Sequence, residues 1–344
     1  MLNNMPLSLL DISNSLKNAK VCLKIPELAG GHVVEVNGHP VSSSGGYCVV
    51  YKFQLANGNY KALRIWHKDL ALLPDLPEVA SKVSDELERL QSDYFVDYKY
   101  YDKAILVAGQ FHPAVVMDWC EGQDLKDYIS ENVGDSSKML SLANQFKEMV
   151  KFFHEKGISH GDLQHGNIRI RPNGKICVLD YDSMYVPALQ GKTEYIKGLP
   201  SFQHPTARDA NQFLNPKVDY FSECVIYLAL MLLIKDPTLW TNEVKRCDDI
   251  LLFDNNDLLN INNTSSRIFK YRNEVSNKIL WLVRYLQLFL KQDNLDSFLP
   301  LEEVIDPYIH GRAGAQGQTQ PQKKTPTTVK SSVNVSDVIN SLRK

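Results

Sequence analysis

The chain has 344 residues, 44% of them hydrophobic, enough for a sizeable core and for more than one folding unit of about 100–150 residues. Lys and Arg number 38 against 40 Asp and Glu, a net charge of −2, so no global basic field marks nucleic acid or an anionic membrane as a partner. Six scattered cysteines with no C-x-x-C pair, and a start that lacks the basic-then-apolar signal pattern, imply a reduced, cytoplasmic protein.

Along the chain, residues 33–66 alternate β-prone runs with Gly and Asn punctuation, which predicts antiparallel hairpins with "ANGN" as one turn. The stretch 77–91 opens with Pro and acids and spaces Val79, Val83, Leu87 and Leu90 helically, predicting one amphipathic helix. Short strands are expected at 94–101, 104–108 and 114–119, then a mainly helical stretch over 124–156 with Gly157 as its stop. Past Asp180 an irregular segment, 183–215, precedes "CVIYLALMLLI" at 224–234. Those 11 residues are too few for the roughly 20 that span a bilayer, so they predict a buried core helix. Helical stretches follow near 238–250 and 273–293. Residues 311–330 are rich in Gly, Gln, Thr, Pro and Lys without apolar periodicity and are expected as a linker; a tail follows that could hold one short helix. Sheet first and helices later describe an α+β protein.

The segment "HGDLQHGN" at 160–167, followed after a strand-turn-strand by "DYD" at 180–182, resembles the catalytic core of the protein-kinase-like superfamily, with its H-R-D-L-x-x-x-N and D-F-G motifs. His160, Asp162, Leu163 and Asn167 fall in register, and Asp180 follows at the separation a hairpin requires. "VVMDWCEGQDL" at 115–125 is similar to the connection between the two lobes, "GLPSFQHP" at 198–205 to the end of an activation segment, and "DYFS" at 219–222 to the start of the central helix. The Pro-terminated segment followed by D-x-x-S separates this pattern from small-molecule kinases of the aminoglycoside and choline type. More narrowly, "ALRIW", "YDSMYVPAL" and "SFQHP" resemble an atypical bacterial branch of serine/threonine-kinase-like proteins.

The resemblance covers about residues 40–300 and implies a two-lobed fold: an N-lobe, 1–117, of antiparallel sheet plus one helix, a mainly helical C-lobe, 118–310, and a flexible tail, 311–344. It implies ATP and Mg²⁺ as cofactors and a protein as substrate or binding partner, with no nucleic acid and no membrane. Asp162 would be the base that accepts or orients a hydroxyl proton, Asn167 and Asp180 the metal ligands, and His160 a packing residue that ties the loop down. Met117 would stand at the back of the nucleotide pocket, with the backbone of Asp118 and Cys120 beside adenine, and Asp219 would hold the catalytic loop's backbone.

Departures from the family pattern fall mainly on the nucleotide contacts. In "SSSGGYCVVY", aligning Val50-Tyr51 leaves Gly45 as the middle glycine, with Ser43 and Cys48 at the other two positions. Ala62 and Arg64 stand where the family has Ala and Lys; Lys61 lies on the opposite strand face, and Arg64 becomes the expected phosphate clamp. Val83 occupies the position of the helix glutamate, making Glu86 the candidate partner of Arg64, with a solvated helix face as the alternative. Arg169 replaces an apolar residue under adenine, so either the strand register shifts or the pocket floor is altered. Asp182 replaces the Gly of D-F-G, and Gly161 the Arg that reads activation-loop phosphate. These features leave two readings: phosphotransfer from ATP to a protein Ser/Thr hydroxyl, or a catalytically silent pseudokinase that serves as a nucleotide-sensing or protein-binding scaffold.

Overall fold

Alternation along two β-branched runs sets the first lobe. In the computed structural model, which describes residues 6–306 apart from 69, 71, 72, 211 and 275, strands β1 (His32–Val33), β2 (Ser42–Ser44), β3 (Cys48–Gln54), β4 (Tyr60–Trp66), β5 (Tyr98–Val107) and β6 (Gln110–Asp118) form one antiparallel sheet. The order is β1-β3-β4-β6-β5, with β2 added on β3. The β3–β4 hairpin turns through the "ANGN" segment, where Leu55 N–H bonds Asn59 O at 2.8 Å. The expected strands at 94–101 and 104–108 are one continuous strand, β5, carrying an irregularity between Tyr101 and Ile105.

Because side chains alternate across a strand, the sheet sorts its residues onto two faces. Val49, Tyr51, Phe53, Leu63, Ile65, Ala114 and Val116 point outward into a core closed by Ile12 and Leu16 of helix α1 (Leu9–Lys17). That helix, capped by Ser8, went unread in the sequence. Cys48, Ala62, Trp66, Val115 and Met117 face the other way, toward helix α2 (Leu76–Leu90) and the second lobe.

The second lobe is built on helices α3 (Leu125–Asn132), α4 (Ser136–Lys156), α5 (Tyr220–Lys235), α6 (Asn277–Phe289) and α7 (Leu301–Ile305). The stretch expected to be mainly helical over 124–156 holds two helices that part at Val133-Gly134-Asp135, because Asp135 caps the second by accepting from the N–H groups of Ser137 and Lys138. Gly157 ends it in the left-handed conformation, φ 64°. Helix α5 is buried on nearly all sides, and no helix of the described residues is long and apolar enough to cross a membrane. Against the second lobe lies a small sheet of β7 (Gln123–Asp124), β8 (Ile168–Ile170) and β9 (Ile176–Val178). An antiparallel-sheet lobe followed by a helical lobe is the α+β, kinase-like fold expected. The tail at 311–344 lies outside the described residues.

Candidate functional site

Strand β4 delivers the cation of the site. Period-2 alternation puts Lys61 outward, where it pairs with Asp118 at 2.8 Å and Asp97 at 3.2 Å, and turns Arg64 inward with only 4% of its side chain exposed. Arg64 Nη1 donates to Asp180 Oδ1 at 2.8 Å, and Nη2 donates to Asp182 Oδ2. Asp182 is 7% exposed and Asp180 50%, so one carboxylate is sealed in and the other fronts the cleft. Burial lowers the guanidinium pKa, but the two carboxylates outweigh it and hold Arg64 firmly charged. Burial also pushes Asp180 up, and Arg64 beside it brings its carboxyl below the usual range. For Asp182, burial and the Asp180 charge win, and its carboxyl rises to about 6.

Glu86 does not join this cluster. Both of its oxygens hold Arg89 one turn along α2, at 2.5 and 3.0 Å, while the residue that points inward is Val83, fully buried. The helical spacing puts Glu86 on a neighbouring face, so the expected Arg64–Glu86 pair is replaced by Arg64–Asp182. The D-Y-D departure at Asp182 and the missing acid at Val83 thus compensate each other across the fold, which no local spacing in the chain announces.

The loop 158–167 is held from below. Asp219, 2% exposed, accepts from the N–H of Gly161 at 3.0 Å and also from that of His160. His160 is buried; its Nε2 donates to Leu179 O at 2.8 Å and its Nδ1 accepts from Asp162 N–H at 3.3 Å. Gly161 has φ 81°, and a Cβ there would sit 2.0 Å from Ser183 O, so the position that carries Arg in the family pattern has no room for a side chain. Arg208 holds the backbone of the same residue: 2% exposed, it donates to Gly161 O at 2.6 Å and pairs with buried Glu194 at 2.9 Å. The segment between Asp180 and Pro205 is therefore tied to the catalytic loop by a carboxylate already in the chain.

Asp162 Oδ2 accepts from Asn167 Nδ2 at 3.1 Å, and Oδ1 from Leu199 N–H at 3.2 Å. Gly198, φ 76°, lets the chain pass this close; a Cβ there would be 2.3 Å from Asp162 Oδ1. Burial, helped by the nearby Asp180 charge, raises the Asp162 carboxyl. Asn167 Nδ2 also donates to Asp162 O at 2.8 Å, so its amide oxygen is the atom left for a cation. Asp180 takes a left-handed φ of 67°, which a non-glycine residue adopts at a cost and which turns its carboxylate toward Arg64.

Between the lobes lies a cavity of about 460 Å³ lined by Ser43, Gly45, Cys48, Val50, Ala62, Arg64, Met117, Asp118, Cys120, Asn167, Arg169 and Asp180, among others. Asp162 is absent from that lining and stands just beyond it, bonded to Asn167. Gly45 offers a phosphate less than the family pattern implies, because its N–H is bonded to Cys48 O at 2.9 Å within the β2–β3 turn; Asp118, expected beside adenine, has its N–H bonded to Asp97 O at 3.1 Å and its carbonyl oxygen left for a ligand. Arg169 pairs with Cys177 between buried Ile168 and Ile170, so the register of β8 is not shifted and the charged residue does enter the cavity floor, with Nη1 3.5 Å from Gly122 O.

A family model described as "Protein kinase domain" matches residues 44–292, well over half of the chain. "Serine/threonine-protein kinase chk1" of Schizosaccharomyces pombe is 30% identical over 143 residues, 40% of this chain and 28% of that protein. "Serine/threonine-protein kinase CST20" of Candida albicans is 24% identical over 118 residues, 34% of this chain and 10% of that protein. "Serine/threonine-protein kinase max-2" of Caenorhabditis elegans is 25% identical over 117 residues, 34% of this chain and 18% of that protein. The matched stretches span little more than a quarter of these relatives at most.

Proposed function

The chain belongs to the protein kinase domain family, and on that premise we propose that it transfers the γ-phosphate of ATP to a Ser or Thr hydroxyl of a protein in the cytoplasm. Protein kinases generally use ATP with a divalent metal, whose charge neutralises the phosphates and orients them for in-line attack. The donor set here suits Mg²⁺: a carboxylate, Asp180, and an amide oxygen, Asn167, are hard oxygen ligands that leave the remaining positions to phosphate and water. In this reading Asp162 orients the acceptor hydroxyl and takes its proton, and the Leu199 N–H at Oδ1 keeps the carboxylate aimed. Arg64 holds Asp180 in place, and Met117, Ala62 and Val50 give adenine its apolar walls.

The observation that supports this most is the bond from Asn167 to Asp162, which sets Asp162 at the edge of the cavity that Asn167 lines together with Asp180 and Arg64. The test is transfer of labelled γ-phosphate, with Mg²⁺, to the protein itself or to a generic protein acceptor. Wild type is expected to transfer, and Asp162→Asn to lose at least about a hundredfold in rate while still binding nucleotide, since positioned proton transfer contributes roughly 10²–10⁴-fold. Equal rates in both proteins would remove Asp162 from the role of base.

A second reading, a pseudokinase scaffold, is favoured by one specific feature: Arg64 has a carboxylate on each Nη and is not free to grip phosphate as a lone cation would be. It predicts no transfer under any metal, with a nucleotide-dependent stabilisation that survives Asp180→Asn.

A further inference from the structure

Two thiols meet where the lobes join, and the reaction chemistry proposed above uses neither. Cys120 lies in the connection between β6 and β7, and Cys177 in β9; their Sγ atoms are 3.5 Å apart. Cys120 is partly exposed and lines both the 460 Å³ cavity and a second groove of about 840 Å³ behind the connection, whereas Cys177 is fully buried. Of the other cysteines among the described residues, Cys48 and Cys224 are buried, and only Cys22 and Cys247 share the partial exposure of Cys120.

We infer that Cys120 and Cys177 are a redox-active dithiol, closed to a disulfide by hydrogen peroxide, which fastens the inter-lobe connection to the small sheet. Solvent reaches Cys120, so its sulfur is the one that meets the oxidant. It passes its proton across the 3.5 Å contact to the Cys177 sulfur and attacks a peroxide oxygen as the thiolate: the S–O bond forms, the O–O bond breaks, and the departing hydroxide takes a proton from solvent as water, giving a sulfenic acid. The Cys177 sulfur then attacks the Cys120 sulfur: the S–S bond forms, the S–O bond breaks, and the hydroxyl leaves with the Cys177 thiol proton as a second water. The two sulfurs together lose two electrons, and the peroxide gains them.

The surroundings favour the second step. The contact with Cys120 first, and then the Arg171 guanidinium, bring the Cys177 thiol down to about 6 despite its burial, while the same contact pushes Cys120 up. A buried sulfur whose negative form a nearby cation favours is the resolving partner such a pair needs, and at 3.5 Å it is already within contact of the sulfur it attacks. Closure to a disulfide shortens the S···S distance by about 1.5 Å. That shift falls on Cys120, in the wall of the nucleotide cavity, so peroxide is expected to weaken ATP binding several-fold; this consequence, unlike the disulfide itself, rests on the function proposed above.

The experiment treats the full chain with hydrogen peroxide, denatures it, alkylates the remaining thiols and maps peptides without reduction. Two of the six cysteines are expected to be lost to alkylation, with one Cys120–Cys177 cross-linked peptide pair that dithiothreitol reverses. Cys177→Ser is expected to stop at a dimedone-reactive Cys120 with no cross-link, and a Cys22→Ser/Cys247→Ser chain to cross-link as wild type does. Oxidation of Cys22 or Cys247 while Cys120 and Cys177 stay alkylatable would overturn the inference, as would over-oxidation of wild-type Cys120 with no cross-link. Neither readout requires nucleotide or phosphotransfer, so failure here and failure of the kinase reading are told apart.

Discussion

Arg64→Met lowers the stability of the protein by about 3–5 kcal/mol at neutral pH, the cost of leaving one half of a buried ion pair without its partner. Methionine keeps most of the apolar stem of the arginine, so what is lost is the charge that Asp182, 7% exposed, faces inside the fold. Asp180, half exposed, can be rehydrated and adds little. Two further results follow from the same cause. The loss shrinks as the pH is lowered, because a neutral Asp182 needs no counter-charge and its carboxyl is already raised to about 6 beside Arg64. Asp182→Asn in the Arg64→Met background recovers most of the stability, since it removes the stranded charge and keeps its shape. Urea unfolding with an unchanged m value measures all three. A loss below about 1 kcal/mol for Arg64→Met would mean that water reaches Asp182 and that the pair is not buried in solution.

Asp219→Ala costs about 2–4 kcal/mol by a different route. Its carboxylate satisfies two buried donors, the N–H groups of His160 and Gly161, and each donor left unpaired costs roughly 1–3 kcal/mol. Asp219→Asn keeps one oxygen in place and is expected to cost about half as much. Because the donors belong to the catalytic loop, the loss should appear locally as well: the amides of residues 160 and 161 exchange hydrogen faster in Asp219→Ala by a larger factor than the rest of the core. A small global loss with unchanged exchange at these two amides would separate Asp219 from the loop.

The parts of this protein that were legible in its sequence are those fixed by short-range rules. Alternation in "KALRIW" sorted Arg64 from Lys61 because a strand has only two faces, and "HGDLQHGN" stands out because all of its residues lie within one loop. Asp219, although distant in the chain, was legible because it opens a helix in a recognisable pattern. Glu86 failed for the opposite reason. Counting along α2 gave Glu86, three residues past Val83, but helical geometry turned it to Arg89, and the buried acid that Arg64 uses is Asp182, 118 residues beyond the arginine. The Arg208–Glu194 tie was equally silent: it joins residues 14 apart in an irregular segment to the carbonyl of Gly161, and no local pattern marks either partner. The strand boundary expected between 101 and 104 does not exist: the pairing register shifts between Tyr101 and Ile105 without ending β5, and the shift reads in sequence like a break.

The measurement that tests the account most directly is the thermal stability of the full chain with ATP and Mg²⁺, set beside Asp180→Asn. With nucleotide at about 100 times its Kd, mass action stabilises the fold by roughly 2.7 kcal/mol. For a chain of this size that raises the melting temperature by roughly 4 °C. The account predicts that rise in wild type and, in Asp180→Asn, loss of its metal-dependent part, because of the two proposed oxygen ligands, Asn167 and Asp180, the substitution removes the charged one. No shift with any nucleotide up to millimolar concentration, from a protein that melts cooperatively, would contradict it.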